Sequence, residues 1–173
     1  MNQTATATKT SPDFVISRVF DAPRELVWSC FTQPEHMSKW WGPKGATAGL
    51  QKLDLRPGGL CHYRLALPDG MVMWGKSVYR EIDAPARLVF INSFSDENAG
   101  LTRHPMSPEW PLQMMTVITF EEQPGGKTQV TIRWSPYNPT AEEQKTFDAG
   151  HDSMRMGWTG SLDQLEAHLA NAG

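Results

Sequence analysis

Residues 13–43 read DFVISRVFDAPRELVWSCFTQPEHMSKWWGP, and this segment contains the clearest structural pattern in the chain. Apolar residues alternate at Phe14 and Ile16 and, less cleanly, at Val19 and Phe20, which predicts a strand. The Asp-Ala-Pro sequence that follows ends the strand and favours a helix start, with Asp21 as the expected cap. Apolar residues then recur at helical spacing until Gln33-Pro34, and a second short helix ends at Trp40-Trp41.

The rest of the chain is predicted to form strands first and a helix last. Strands are expected at 46–56, 60–67, 71–82, 87–94, 112–122 and 127–135, separated by short turns. Thr140 and Glu143 then form a capping box, and apolar residues recur every three or four positions to Leu169. Glycines at 150, 157 and 160 interrupt this helix, so a bend or a close approach to the sheet is expected. The pattern predicts an α+β fold, in which a curved seven-stranded antiparallel sheet surrounds one helix over about residues 140–170.

The composition favours one ordinary globular domain at 12–173, preceded by a loose tail at 1–11. A net charge of −3 argues against a nucleic-acid partner, and no apolar run approaches membrane-spanning length. The first residues lack the apolar core of a secretory signal. Cys30 and Cys61 both lie in apolar patterns, which favours core thiols in a reducing, cytoplasmic setting over a disulfide.

Seven tryptophans and nine methionines favour either a bulky core or an apolar cavity, and small-molecule sites are usually apolar cavities. The inferred inward faces of the strands and the last helix carry Tyr63, Phe90, Asn92, Met114, Thr116, Trp134, Met154 and Trp158. Trp40, Trp41 and Trp110 are expected near the mouth of this cavity, and Trp158 is expected to be substantially buried against the sheet. Trp110 belongs to the connection 95–111, whose length is typical of a functional or a disordered loop.

Catalytic and metal-binding motifs are not apparent in the sequence. The five histidines, at 36, 62, 104, 151 and 168, have no H-x-x-x-H or C-x-x-C neighbours, so neither a metal site nor a cofactor is predicted. His151 beside Asp152 is the one candidate acid–base pair, and a place at the polar edge of the cavity is favoured for it because adjacent helical residues face different ways. His62, Arg64, Lys76 and Arg80 are assigned to the outer face of the sheet.

Six segments, in this order and spacing, resemble the helix-grip (START-like, birch-pollen-allergen-like) fold of the SRPBCC superfamily. They are similar to its subfamily of heat-shock-protein-90 ATPase activator C-terminal-like domains, and the resemblance spans residues 13–170. The segments are 21–28, 40–43, 56–59, 80–90, 116–121 and 157–165. The resemblance implies a cavity between the sheet and the C-terminal helix. Family members variously bind hydrophobic ligands, protect against reactive natural products, or act as cyclases in related branches, whereas the chaperone-activator role belongs to multi-domain members.

The favoured prediction is a domain that binds a hydrophobic or aromatic small molecule, with the ligand left open. One alternative is a cavity-based enzyme, such as a cyclase or hydrolase, that acts through His151 or Tyr63. A second alternative is a protein-interaction or chaperone-associated module whose outer sheet face contacts a partner. The oligomeric state stays open, a homodimer included.

Overall fold

The computed structural model describes residues 13–172, and the tail expected at 1–11 lies outside this range. The elements follow in the order β1 (Phe14–Phe20), α1 (Arg24–Thr32), α2 (Pro34–Trp40), β2 (Thr47–Leu53), β3 (Leu60–Ala66), β4 (Val72–Asp83), β5 (Arg87–Ser95), β6 (Leu101–Thr102), β7 (Met114–Gln123), β8 (Lys127–Pro136), α3 (Ala141–Ala149) and α4 (His151–Ala172). The predicted α+β order is confirmed. None of the helices in the described part of the chain is long and apolar enough to cross a membrane.

The strands form one open antiparallel sheet in the order β1-β8-β7-β5-β4-β3-β2. Each strand from β2 onward pairs with the next long strand, and β1 returns to pair with the last one. The two-residue β6 attaches to the end of β5, so the 95–111 connection adds a short eighth strand to the seven predicted. Because inward residues alternate with outward ones along β7 and β8, the face of the sheet toward the helices is mostly apolar.

The two short helices after β1 are present, but Asp21 does not cap the first one. Pro23 occupies the N-cap position of α1 with no side-chain cap, and its carbonyl accepts the backbone N–H groups of Leu26 and Val27. Asp21 lies two residues too early for its carboxylate to serve as the N-cap group. The helix is stabilised instead by its buried face, which includes Val27, Trp28, Cys30 and Phe31.

The predicted single C-terminal helix is divided in two at Gly150. Thr140 and Glu143 form the expected capping box at the start of α3, but α3 ends at Ala149 and α4 begins at His151. A Cβ atom at position 150 would lie 3.3 Å from the Thr146 carbonyl oxygen and 3.4 Å from the Trp110 ring. The break therefore occurs at one of the three glycines where a bend or a close approach was expected, and the neighbouring loop crowds this glycine.

His62 also differs from the expectation of a solvated outer face. It is 6% exposed, its Nε2 lies 2.9 Å from the Asp96 carbonyl oxygen, and its ring stacks on Trp74. The segment after β5 folds back over the outer face here, and the Ala99 carbonyl accepts a hydrogen bond from Lys76. Both cysteines are buried free thiols, as expected.

A candidate ligand cavity

A cavity of about 970 Å³ lies between the concave face of the sheet and the helices α3 and α4. Inward side chains of β3, β4, β5, β7 and β8 form its floor. The end of α2 and the residues after it border one side, the segment 104–110 borders another, and α3 and α4 supply the remaining lining residues.

Ten of the twelve predicted site residues line this cavity, and they come from elements distant in the sequence. They are Trp40, Trp41, Tyr63, Phe90, Asn92, Trp110, Thr116, Trp134, Met154 and Trp158. The strand period identified five of these positions, on β3, β5, β7 and β8, because residues two apart face the same side of the sheet. The other five lie on helices or in connections.

Met114 and His151 are the two predicted site residues that do not line the cavity. Met114 is 3% exposed and belongs to the hydrophobic core. His151 lies at the first position of α4, where its ring packs edge-on against Phe14 and Phe147. Its Nε2 is buried without a hydrogen-bond partner. His151 therefore faces Phe14 and Phe147, whereas its neighbours Gly150, Ser153 and Met154 line the cavity.

Trp158 is half-buried, which is less than the sequence suggested, because part of its ring borders the void. The ring stands edge-on to Trp134, with centroids 5.6 Å apart, and to Trp41, with centroids 6.3 Å apart. Its indole nitrogen is buried and has no hydrogen-bond partner. Edge-on aromatic pairs of this kind are favourable, but they leave more open space than close packing does.

A short chain of hydrogen bonds runs across the cavity floor. The Trp134 indole N–H donates to Thr116 Oγ1 over 2.7 Å, and this hydroxyl donates to Asn92 Oδ1 over 2.6 Å. Because the Thr116 hydrogen is used in this way, the oxygen of Asn92 must face Thr116. The amide NH₂ of Asn92 then remains as a donor at the cavity surface.

Tyr63 supplies a second polar group in the floor. Burial raises the pKa of its hydroxyl far above the usual value, the nearby Cys61 raises it further, and a hydrogen bond with the Trp41 side chain lowers it only in part. The hydroxyl is therefore protonated at neutral pH, and its hydrogen can be donated. The ring lies directly over Gly75 of β4, where a Cβ atom would come within 2.5 Å of three Tyr63 atoms. Gly75 was not predicted from the sequence to lie near the site, although a glycine inside a strand indicates close approach.

The segment 103–112 is held against α3 by a buried carboxylate. Glu143 Oε2 accepts hydrogen bonds from Arg103 over 2.7 Å and from the Leu112 N–H over 3.0 Å, and Glu143 Oε1 accepts one from the Thr140 N–H. Burial by itself raises the pKa of this carboxyl, but these hydrogen bonds and the Arg103 charge lower it below the usual value overall. Trp110 is thereby kept near Trp134 and Phe147.

Charged groups are confined to the rim of the cavity. Glu109, Glu142 and Lys145 line it, and all three are exposed. His104 also borders the cavity, and burial lowers the pKa of its imidazole, which favours the neutral form. Its Nδ1 accepts a hydrogen bond from the Met106 N–H. The interior lining is therefore uncharged among the residues that the structure describes.

Several lining residues were absent from the sequence prediction. Leu65 and Phe94 share the inward period of Tyr63 and Phe90 and could have been included on that basis. Met73 of β4 was also missed. Most of the other residues come from helices and loops whose orientation the pattern does not define, and they include Ser107, Thr146, Ser153, Gly157 and Ser161.

The chain matches one protein family and resembles several solved structures. The model of the family described as "Activator of Hsp90 ATPase homolog 1-like protein" matches residues 21–170. A crystal structure of a Mycobacterium smegmatis protein is 27% identical, with a TM-score of 0.71, and the match covers 90% of this chain and 88% of that one. An Arthrobacter aurescens protein solved by NMR is also 27% identical, with a TM-score of 0.77 and coverage of 94% and 88%.

A more distant structure has the same fold. The AHSA1 protein of Silicibacter pomeroyi is 18% identical, with a TM-score of 0.69, and the match covers 93% of this chain and 99% of that one. No curated protein matches this chain.

Proposed function

The chain belongs to the family of activator of Hsp90 ATPase homolog 1-like proteins, and we propose that it binds an uncharged aromatic small molecule in its cavity. The observation behind the proposal is a void of about 970 Å³ with five tryptophans in its lining. Small-molecule sites are typically concave, mostly apolar and about 300–1,000 Å³ in volume. The two buried free thiols fit a reducing compartment such as the cytoplasm.

The polar groups of the floor indicate what kind of ligand fits. The Asn92 amide and the Tyr63 hydroxyl both offer hydrogen-bond donors, while the interior lining lacks a charged partner within the described residues. A planar ring system with a carbonyl or ether oxygen satisfies both conditions. A carboxylate or ammonium group would lose hydration without gaining an ionic partner. The affinity would come mainly from buried apolar area, at about 25 cal/mol per Å² before the costs of association.

The two alternative functions, a cavity-based enzyme and a protein-interaction module, receive less support from the residues on which they depend. His151 lies away from the cavity, and the raised pKa of Tyr63 makes it a poor base at neutral pH. For a protein partner, a broad exposed apolar patch on the outer sheet face would be the supporting feature. The exposed large apolar residues are instead spread over different elements, such as Val19 on β1, Leu101 on β6 and Met156 on α4.

A titration with a neutral planar probe tests the proposal. Flavone added to the full chain should quench tryptophan fluorescence and saturate at one molecule per protein, because five tryptophans border the site. Gly157→Phe should abolish this binding, since a side chain at position 157 extends into open space at the cavity wall. Met156→Phe is the matched control, because Met156 is 77% exposed and does not line the cavity.

The outcome of this titration decides between binding in the cavity and binding elsewhere. The proposal requires saturable binding in the wild type and in Met156→Phe, with at least about a tenfold loss in Gly157→Phe, which corresponds to about 1.4 kcal/mol. Equal binding by all three proteins would place flavone outside the cavity. A complete lack of response in the wild type would contradict the proposed ligand class.

A further inference from the structure

A second group of reactive side chains lies outside the cavity, where α1, α2 and α4 meet. Cys30 belongs to α1, His36 to α2 and His168 to α4. The three potential ligand atoms, one from each residue, lie within 4.8 Å of one another. His36 Nδ1 and His168 Nε2 are 2.9 Å apart, although 132 positions separate the two residues in the sequence.

We propose that Cys30, His36 and His168 form a binding site for a divalent transition-metal ion, with zinc as the expected occupant. One sulfur and two imidazole nitrogens are ligands that zinc prefers. Magnesium and calcium require oxygen ligands, and no carboxylate belongs to this cluster in the described part of the chain. This inference concerns a different place from the cavity and does not depend on its ligand.

The distances are close to those that a tetrahedral ion requires. Zinc–nitrogen bonds of about 2.0–2.1 Å and a zinc–sulfur bond of about 2.3 Å place ligand atoms about 3.4–3.7 Å apart. The nitrogen–nitrogen distance of 2.9 Å therefore has to increase by about half an ångström. The distances involving sulfur can be no longer than 4.8 Å, and small rotations of the two rings can shorten them.

The surroundings provide both a fixed ligand and access for the ion. Cys30 is fully buried, and its carbonyl oxygen accepts the Trp40 indole N–H over 2.8 Å, which links α1 to α2. His36 and His168 are half-buried, so the ion can enter from solvent and retain a water molecule as the fourth ligand. A bound ion would add a direct link among three helices that already meet through packing and hydrogen bonds.

The alternative is that the two histidines only form a hydrogen bond that holds α2 against α4. Such a contact needs no metal and gives no role to the Cys30 thiol. The two possibilities differ in whether a metal ion binds through sulfur.

Cobalt(II) is the probe that distinguishes them, since a thiolate ligand produces a charge-transfer absorption and a tetrahedral site produces visible bands. The metal-free, untagged full chain should bind one Co²⁺ and develop both features, and excess Zn²⁺ should displace the Co²⁺. Zn²⁺ should also raise the melting temperature, because ligands that bind only the folded state stabilise it. Spectra without a thiolate band, or an unchanged melting temperature, would overturn the proposal.

Matched variants locate the site. Cys30→Ser should abolish the thiolate band, whereas Cys61→Ser should preserve it, because Cys61 is the other buried thiol and lies outside the cluster. His36→Gln should weaken Zn²⁺ binding by about 100-fold or more, since even indirect metal contacts contribute about 10–100-fold. His104→Gln, at another half-buried histidine, should leave the affinity unchanged. If Cys30→Ser does not fold, the comparison of His36→Gln with His104→Gln still tests the site. Equal Zn²⁺ affinity in these two variants would refute it.

Discussion

Aromatic side chains occupy both ends of the space between the sheet and the helices. They fill one end, whereas at the other end they surround the cavity. On β7, Phe120 and Thr116 face the same way four residues apart. Phe120 is enclosed by Trp28 and Phe31 of α1, with ring centroids 5.2 Å away in each case. Thr116 faces the cavity, where Trp134 and Trp158 meet edge-on.

The difference arises from the element that covers each end. The helix α1 packs on β7 and β8 and fills the space above Phe120 with its buried face. The other end is covered by the segment 103–112 and the divided helix, which border the cavity without filling it. Aromatic content alone therefore does not distinguish a core from a binding site. What matters is whether a regular element occupies the space.

Phe120→Ala should have the largest effect on stability. It removes a fully buried ring from the packed end, so the free energy of unfolding should fall by about 3–5 kcal/mol. Urea denaturation at neutral pH measures this loss. A reduction below about 1 kcal/mol would mean that the packed end is looser than described.

Glu143→Gln should have an intermediate effect, because a glutamine has only one acceptor oxygen for three donors and loses the Arg103 ion pair. We expect a loss of about 1–3 kcal/mol in the free energy of unfolding at pH 7. The neighbouring Glu142→Gln is the control, because Glu142 is exposed at the rim and should change stability little.

The Glu143 effect should also depend on pH in a defined direction. The pKa of Glu143 is lower in the folded protein than in the unfolded chain, so its contribution is complete above the unfolded value of about 4.3. The contribution is lost as the pH falls through the folded pKa. The stability difference between wild type and Glu143→Gln should therefore shrink in acid, and a difference that grows there would contradict the assignment.

Trp158→Ala should have the smallest effect, although the lost side chain is larger than that of Phe120. The ring is half-buried and borders open space, so its removal breaks few contacts, and about 1 kcal/mol is expected. A loss as large as that of Phe120→Ala would mean that the cavity is closed in solution.

The sequence predicted the fold better than the site, for identifiable physical reasons. Alternation along β7 and β8 identifies the inward face, and the Thr140–Glu143 capping box marks a helix start, because both are local patterns. Periodicity shows which face of the sheet a side chain is on, but not whether it lines the cavity or packs in the core. Met114 and Thr116 were therefore both predicted to line the cavity, although only Thr116 does so.

The remaining features depend on contacts between distant parts of the chain. The break at Gly150 coincides with crowding by Trp110 from the 95–111 connection, and the ring of His151 beside it packs against Phe14 and Phe147. The Cys30–His36–His168 cluster likewise forms only when α4 packs on α2. No local spacing rule finds such groups, because their members are neighbours only in the folded protein.

Native mass spectrometry of the protein purified from its own source, in wild-type and Gly157→Phe forms, tests the central claim most directly. The wild type should carry one additional small molecule, which is released on denaturation and is uncharged and aromatic. Gly157→Phe should carry none, since its new side chain occupies the cavity wall. The account would be contradicted if the wild type had the mass of the polypeptide alone, or if both proteins carried the same additional mass.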